Sequence, residues 1–147
     1  REGNGWSHKY ARRQWNLVDN QELDYHYLGD FDREMIETIK SEKKFNDQPV
    51  QEIWHNDSDQ VLAYMRGNLV FVFNFSPTRS FADYGFLVPA GSYHVMLNTD
   101  ATRFGGNGLA DDSVVHFTMP DPLYEKDNKG WLKLYIPARS AVVLRLE

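Results

Sequence analysis

Residues 69–75, Leu-Val-Phe-Val-Phe-Asn-Phe, are apolar on both faces of an extended chain. A strand built from them belongs in the middle of a sheet, with cover on each side. Gly67-Asn68, just before it, suits a two-residue hairpin turn that leads back to a strand over 60–66. Upstream, 50–55 reads as a strand closed by the turn-rich Asn56-Asp57-Ser58-Asp59. Further strands are predicted at 86–88, 93–97, 114–118, 131–136 and 141–146. Pro89-Ala90-Gly91 and Pro137-Ala138-Arg139-Ser140 mark tight connections between them. Seven or eight short strands with turns at this spacing predict a mainly β fold, an antiparallel β-sandwich over 46–147. Phe71, Phe73, Phe75, Trp131 and Tyr135 are assigned to its core. There is no internal repeat and no low-complexity tract.

The first 45 residues carry a helical period instead. Tyr10, Ala11, Gln14, Trp15, Leu17 and Val18 fall on one arc, with Ser7 as a candidate N-cap. A second helix is predicted from near Asp30, with Leu28, Phe31, Met35, Ile36 and Ile39 on one face. Two helices this short cannot enclose a core between them, so their apolar stripes require another surface.

The net charge of −5 argues against a nucleic-acid partner, which would leave a basic footprint. No apolar run is long enough to span a bilayer, so no membrane partner is expected. The absence of cysteine excludes disulfides and thiolate metal sites, and agrees with a cytoplasmic setting.

The residues that could carry chemistry read mostly as structural. Glycosidic cleavage with retention needs two carboxylates about 5 Å apart on one sugar. Asp57, Asp59, Asp111, Asp112 and Asp121 lie in turns, and Glu34 and Glu37 on a polar helix face, so a solvated role is expected for each. His8, His26, His55, His94 and His116 lack the spacing of a zinc set, and His94 and His116 are expected to hydrogen-bond within the sheet. Asp57-Ser58-Asp59 lacks the glycine and terminal Glu of a calcium loop. Gly105-Gly106-Asn107-Gly108 lacks the Lys-Ser/Thr and helix of a phosphate loop and reads as a sandwich loop. No metal and no cofactor is expected.

The first 17 residues include Arg1, Gly3, Asn4 and Ser7, followed by Tyr10-Ala11-Arg12-Arg13-Gln14. They resemble the segment that closes the catalytic barrel in α-1,4-glucan branching enzymes of the α-amylase superfamily. There a Pro-Arg-x-Gly-Asn loop runs through a Ser into Tyr-Ala-Arg-Arg-Gln. The family also has a Gly-Gly pair after an Asp-x-Asp-Ala-like strand end, read here as Asn98-Thr99-Asp100-Ala101 and Gly105-Gly106. The stretch Ser41-Glu42-Lys43-Lys44-Phe45 departs from the pattern, being shorter and more charged than its Trp-containing counterpart.

The resemblance covers essentially the whole chain and implies a Greek-key sandwich of the α-amylase C-terminal type. Residues 1–45 would complete a (β/α)8 barrel whose catalytic carboxylates lie upstream, so no catalytic residue falls in this chain. Arg1 in place of Met agrees with a piece of a longer protein. The parent would move α-1,4-glucan segments onto 6-hydroxyls, making the α-1,6 branches of glycogen or starch. The implied partners are α-glucan and the barrel itself. Asn4 and Trp6 would lie near the glucan-binding cleft, since such barrels place their sites at that rim. An alternative is a stand-alone α-glucan-binding sandwich that grips sugar with exposed aromatics.

Overall fold

The computed structural model describes residues 14–43 and 45–147. One α-helix, α1 (Tyr25–Ser41), precedes nine strands: β1 (Val50–Asn56), β2 (Val61–Arg66), β3 (Leu69–Asn74), β4 (Phe81–Pro89), β5 (Ser92–Asn98), β6 (Val115–Phe117), β7 (Met119–Pro120), β8 (Lys129–Ile136) and β9 (Ser140–Leu146). The strands form a six-stranded sheet, β1-β2-β3-β9-β5-β6, and a three-stranded one, β4-β8-β7. Every pairing is antiparallel.

β3 lies inside the large sheet, between β2 and β9, as its two apolar faces require. Gly67 has φ +60°, which opens the hairpin that sets Arg66 opposite Leu69. Alternation then sorts the side chains. Val70 and Val72 join Val61, Ala63 and Leu144 on the inner face, against Phe86, Val88, Leu132, Leu134 and Ile136 of the small sheet. β8 alternates strictly, so Leu132, Leu134 and Ile136 are buried while Lys133 and Tyr135 point outward.

At one end the two sheets are joined by Asn74. Its buried amide donates to the carbonyls of Arg79, Ile136 and Pro137 and accepts the Ser76 N–H. Each polar atom there has a partner, as burial demands.

The outer face of the large sheet is also apolar. Leu69, Phe71, Leu97 and Val143 are covered by Phe31 and Met35 of α1, together with Phe45 and Phe104. Both oily faces of β3 are thus accounted for, one by the second sheet and the other by the helix.

Several expectations are corrected. α1 begins at Tyr25, upstream of Asp30, and runs through Gly29. A glycine looks like a helix boundary in sequence, yet here a Cβ at Gly29 would sit 2.8 Å from Val18 Cγ1, so its absence admits the preceding segment. Trp15–Leu17 forms one 3-10 turn, while Ser7, Tyr10 and Ala11 lie outside the described residues. β4 starts at Phe81 because a bulge between Phe81 and Tyr84, with Asp83 at φ +51°, breaks the period-2 pattern. β7, two residues ending in Pro120, sits at a sheet edge where a proline is tolerated. Phe75 and Tyr135 are exposed rather than core, at 60% and 42%: Phe75 follows the end of β3, at the open end of the outer face, and Tyr135 lies on the outward side of the β8 alternation.

Candidate functional site

The packing divides the apolar residues of α1 between two faces rather than one. Tyr27, Phe31 and Met35 face the sandwich, where Phe31 meets Phe104 edge-on at 5.4 Å and a Cβ at Gly105 would strike the Tyr27 ring. Roughly a quarter turn away, Tyr25, Leu28 and Ile36 remain exposed at 53%, 60% and 48%. The sequence puts Leu28, Phe31, Met35, Ile36 and Ile39 on one face. The sandwich takes Phe31 and Met35, Ile39 is half-buried, and Leu28 and Ile36 stay on the surface.

Arg103 fixes the helix in place. Its guanidinium reaches Glu34 of α1 at 3.2–3.3 Å and Asp112 of the sandwich loop at 2.8 Å. It also lies 4.5 Å from the Phe104 ring centroid. The loop beneath is organised by Asp100, which is 6% exposed. The Asp100 carboxylate accepts the N–H groups of Asn107 and Leu109 at 3.1 and 2.6 Å. A Cβ on Gly106 would fall 2.3 Å from the Asp100 carbonyl, so that glycine is required by close backbone approach. The Gly-rich run is a sandwich loop, as expected. Its organiser, Asp100, carries no sequence signal of that role, because a carboxylate at a strand end looks like a solvated turn residue.

An aromatic row continues along the outer face. Tyr64 stacks on Phe71 and Phe73 at 4.7 and 5.9 Å, and Phe73 stacks on Phe75 at 5.6 Å. Phe45 extends it beneath Arg66, whose guanidinium carbon lies 4.6 Å from the ring centroid.

Two of the turn carboxylates, Asp111 and Asp121, are held as structural acceptors. Asp111 takes the Ser113 hydroxyl and amide, and Asp121 takes the Trp131 indole N–H and the Leu123 amide. These donors hold both carboxyls below the usual range, led by Ser113 Oγ and Trp131 Nε1 respectively. That is the reverse of what a proton donor to a glycosidic oxygen requires. Among the described residues no cluster of three or more His, Asp or Glu is placed to hold a metal ion.

Of the histidines, His94 pairs with the Glu147 carboxylate at 3.1 Å and His55 with Glu52 at 2.8 Å. His116 lies half-buried in a cleft of about 300 Å³ between the sheets, with Val95, Leu109, Val114, Leu134 and Val142. The cleft exists because three strands cannot cover six. Asn4 and Trp6 lie outside the described residues. No helix among the described residues is long and apolar enough to cross a membrane.

These features define an all-β sandwich with one helix fastened to its outer sheet, carrying packing surfaces rather than a catalytic constellation among the described residues. The chain belongs to the family described as alpha amylase, C-terminal all-beta domain, whose model matches residues 53–147. It is similar to the 1,4-alpha-glucan-branching enzyme of Saccharomyces cerevisiae, 41% identical over 98% of this chain and 20% of the relative. The Rhizophagus irregularis enzyme of the same name is 42% identical over 98% of this chain and 21% of the relative. The chloroplastic/amyloplastic enzyme of Oryza sativa is 43% identical over 82% of this chain and 15% of the relative. The chain therefore spans about a fifth of the length of the curated relatives it matches.

Proposed function

We propose that this chain is the non-catalytic C-terminal region of a 1,4-α-glucan branching enzyme, which transfers α-1,4-glucan segments to 6-hydroxyls. In this reading residues 1–45 complete the catalytic barrel and 46–147 form the accessory sandwich. Asn4 and Trp6 lie by the glucan cleft, and the whole enzyme works in the cytoplasm on glycogen or a starch-like polymer.

The observation that carries the reading is the second apolar face of α1. Tyr25, Leu28 and Ile36 stand exposed on a helix whose other face is already bound to the sandwich. Exposed apolar side chains grouped on one arc of a helix, here with Asp32 among them, mark a contact with another body. A free-standing sugar-binding sandwich has no use for it. Similarity to branching enzymes along 98% of the chain, at 41% identity, supports the same partner, the barrel of the parent protein.

The test is paired. Ile36→Asp and Leu28→Asp should leave the unfolding midpoint of the 147-residue chain nearly unchanged, since both sites face solvent there. In the whole protein each should lower the melting temperature and branching activity, because a charge would then be buried at an interface. Equal tolerance in both contexts would remove α1 from the interface. Trp6→Ala in the whole protein should weaken glucan affinity or shift the chain length transferred, and no change in either would remove Trp6 from the cleft.

A further inference from the structure

Trp54 sits on β1, the edge strand of the large sheet, just after a bulge between Glu52 and Trp54 that re-aims the side chain. It is 43% exposed, yet its indole is fixed. Trp54 Nε1–H donates to the Tyr84 hydroxyl at 3.1 Å, and that hydroxyl donates to Asp59 Oδ2 at 3.0 Å. Asn56 Nδ2 donates to the same oxygen at 3.1 Å, and Arg79 Nη2 lies 3.2 Å from Asp59 Oδ1. Arg79 in turn rests 4.7 Å from the Phe81 ring centroid. The chain of bonds joins β1, the β1–β2 turn and β4, and it holds a large flat ring at the open edge of the sandwich.

This differs from the aromatic row on the outer face. Tyr64, Phe71, Phe73 and Phe75 stack on one another, so their flat faces are largely spent on neighbouring rings. No aromatic ring among the described residues stacks on Trp54. Arg79, joined to Trp54 only through Asp59 and Tyr84, is 57% exposed at its side chain, with guanidinium donors in a fixed fork beyond those that meet Asp59 and the Ser58 carbonyl.

We propose that Trp54 and Arg79, positioned by Tyr84 and Asp59, form a binding site for a segment of α-glucan. A pyranose presents a C–H face that packs on an aromatic plane, and its rim of hydroxyls needs planar polar donors and acceptors. Trp54 supplies the plane and Arg79 the donors. Asp59 and Tyr84 contribute rigidity, so little side-chain freedom is lost on binding. Burial pushes the Tyr84 phenol up, which keeps its proton on the hydroxyl that feeds Asp59. The choice of α-glucan rests on the branching-enzyme reading; the platform and its hydrogen-bonded support do not.

The experiment titrates the 147-residue chain with maltoheptaose by calorimetry and measures its retardation in glycogen-containing gels. Wild type should bind both. Trp54→Leu, which keeps apolar bulk without a flat ring, should weaken maltoheptaose binding about tenfold, the loss typical of truncating an aromatic anchor. Trp54→Tyr should lose less than Trp54→Leu, because the plane is retained although the Nε1–H bond to Tyr84 is lost. Urea midpoints taken alongside separate binding from folding. Absence of glucan binding by the wild-type chain would overturn the site, as would a fully folded Trp54→Leu that binds normally, or Trp54→Tyr losing as much as Trp54→Leu. Branching by the whole protein is assayed separately. Its absence would count against the functional reading and leave the binding result standing.

Discussion

Arg103 and Glu34 join the sandwich to α1: the Nε and Nη2 groups of the arginine lie 3.2–3.3 Å from the glutamate oxygens, across 69 residues of chain. Nη1 holds Asp112 at the same time, so one guanidinium registers the helix against a loop. Both members of the Arg103–Glu34 pair are close to half exposed, and water screens part of their attraction. Arg103→Met should cost about 1 kcal/mol in urea unfolding and speed amide exchange in α1 more than in β3. Arg103→Lys should recover little of that, because an ammonium cannot reproduce the fork. Uniform exchange across helix and sheet in Arg103→Met would show that the pair does not hold α1.

Asp100 is a second organising residue. Its carboxylate satisfies two loop amides, and replacing it with Ala leaves them unmatched in a partly buried loop. Asp100→Ala should destabilise the chain by about 2–3 kcal/mol, with Asp100→Asn intermediate, because its amide retains one acceptor oxygen. Gly106→Ala should be at least as damaging, since the new methyl would meet the Asp100 backbone. A neutral Gly106→Ala in thermal unfolding would contradict this account of the loop.

The histidines give stability a pH dependence with a definite sign. Burial pushes the His116 pKa down from 6.5, so the unfolded chain binds that proton more readily than the folded one. His116 therefore favours the fold fully above about pH 6.5, and that advantage is lost as pH falls below it. His55 runs the other way. Its hydrogen bond to Glu52, reinforced by the Glu52 charge, raises its pKa, so its contribution is present at low pH and fades as pH rises. His55 is exposed, and salt should suppress its effect but not that of His116. Urea midpoints from about pH 7.5 to about pH 5 in high salt should fall for wild type and fall less for His116→Gln. Parallel curves for the two would remove His116 as the cause.

The β elements were legible because alternation and turns are local signals. β3 announced itself through two oily faces, and β8 through strict alternation. The start of β4 was hidden by the bulge at left-handed Asp83, which breaks the alternation that marks a strand. The division of α1 into a face against the sandwich and a face toward solvent could not be read from periodicity, which counts apolar positions without saying which neighbour takes them. The same limit applied to aromatic residues. Phe75 and Trp131 look alike in sequence, yet Phe75 lies at the open end of a ring row while Trp131 is fastened to Asp121. The Trp54 platform depends on contacts with Tyr84, 30 residues away, and with the turn residues it shares.

In the proposed reading, catalysis belongs to the whole protein and not to these 147 residues. Amylose should be incubated with the 147-residue chain and, in parallel, with the whole protein that contains it, and new α-1,6 linkages counted by proton NMR. Branch formation is expected from the whole protein and none from the 147 residues alone. Branching by the short chain, or a whole protein that makes no branches, would contradict that reading.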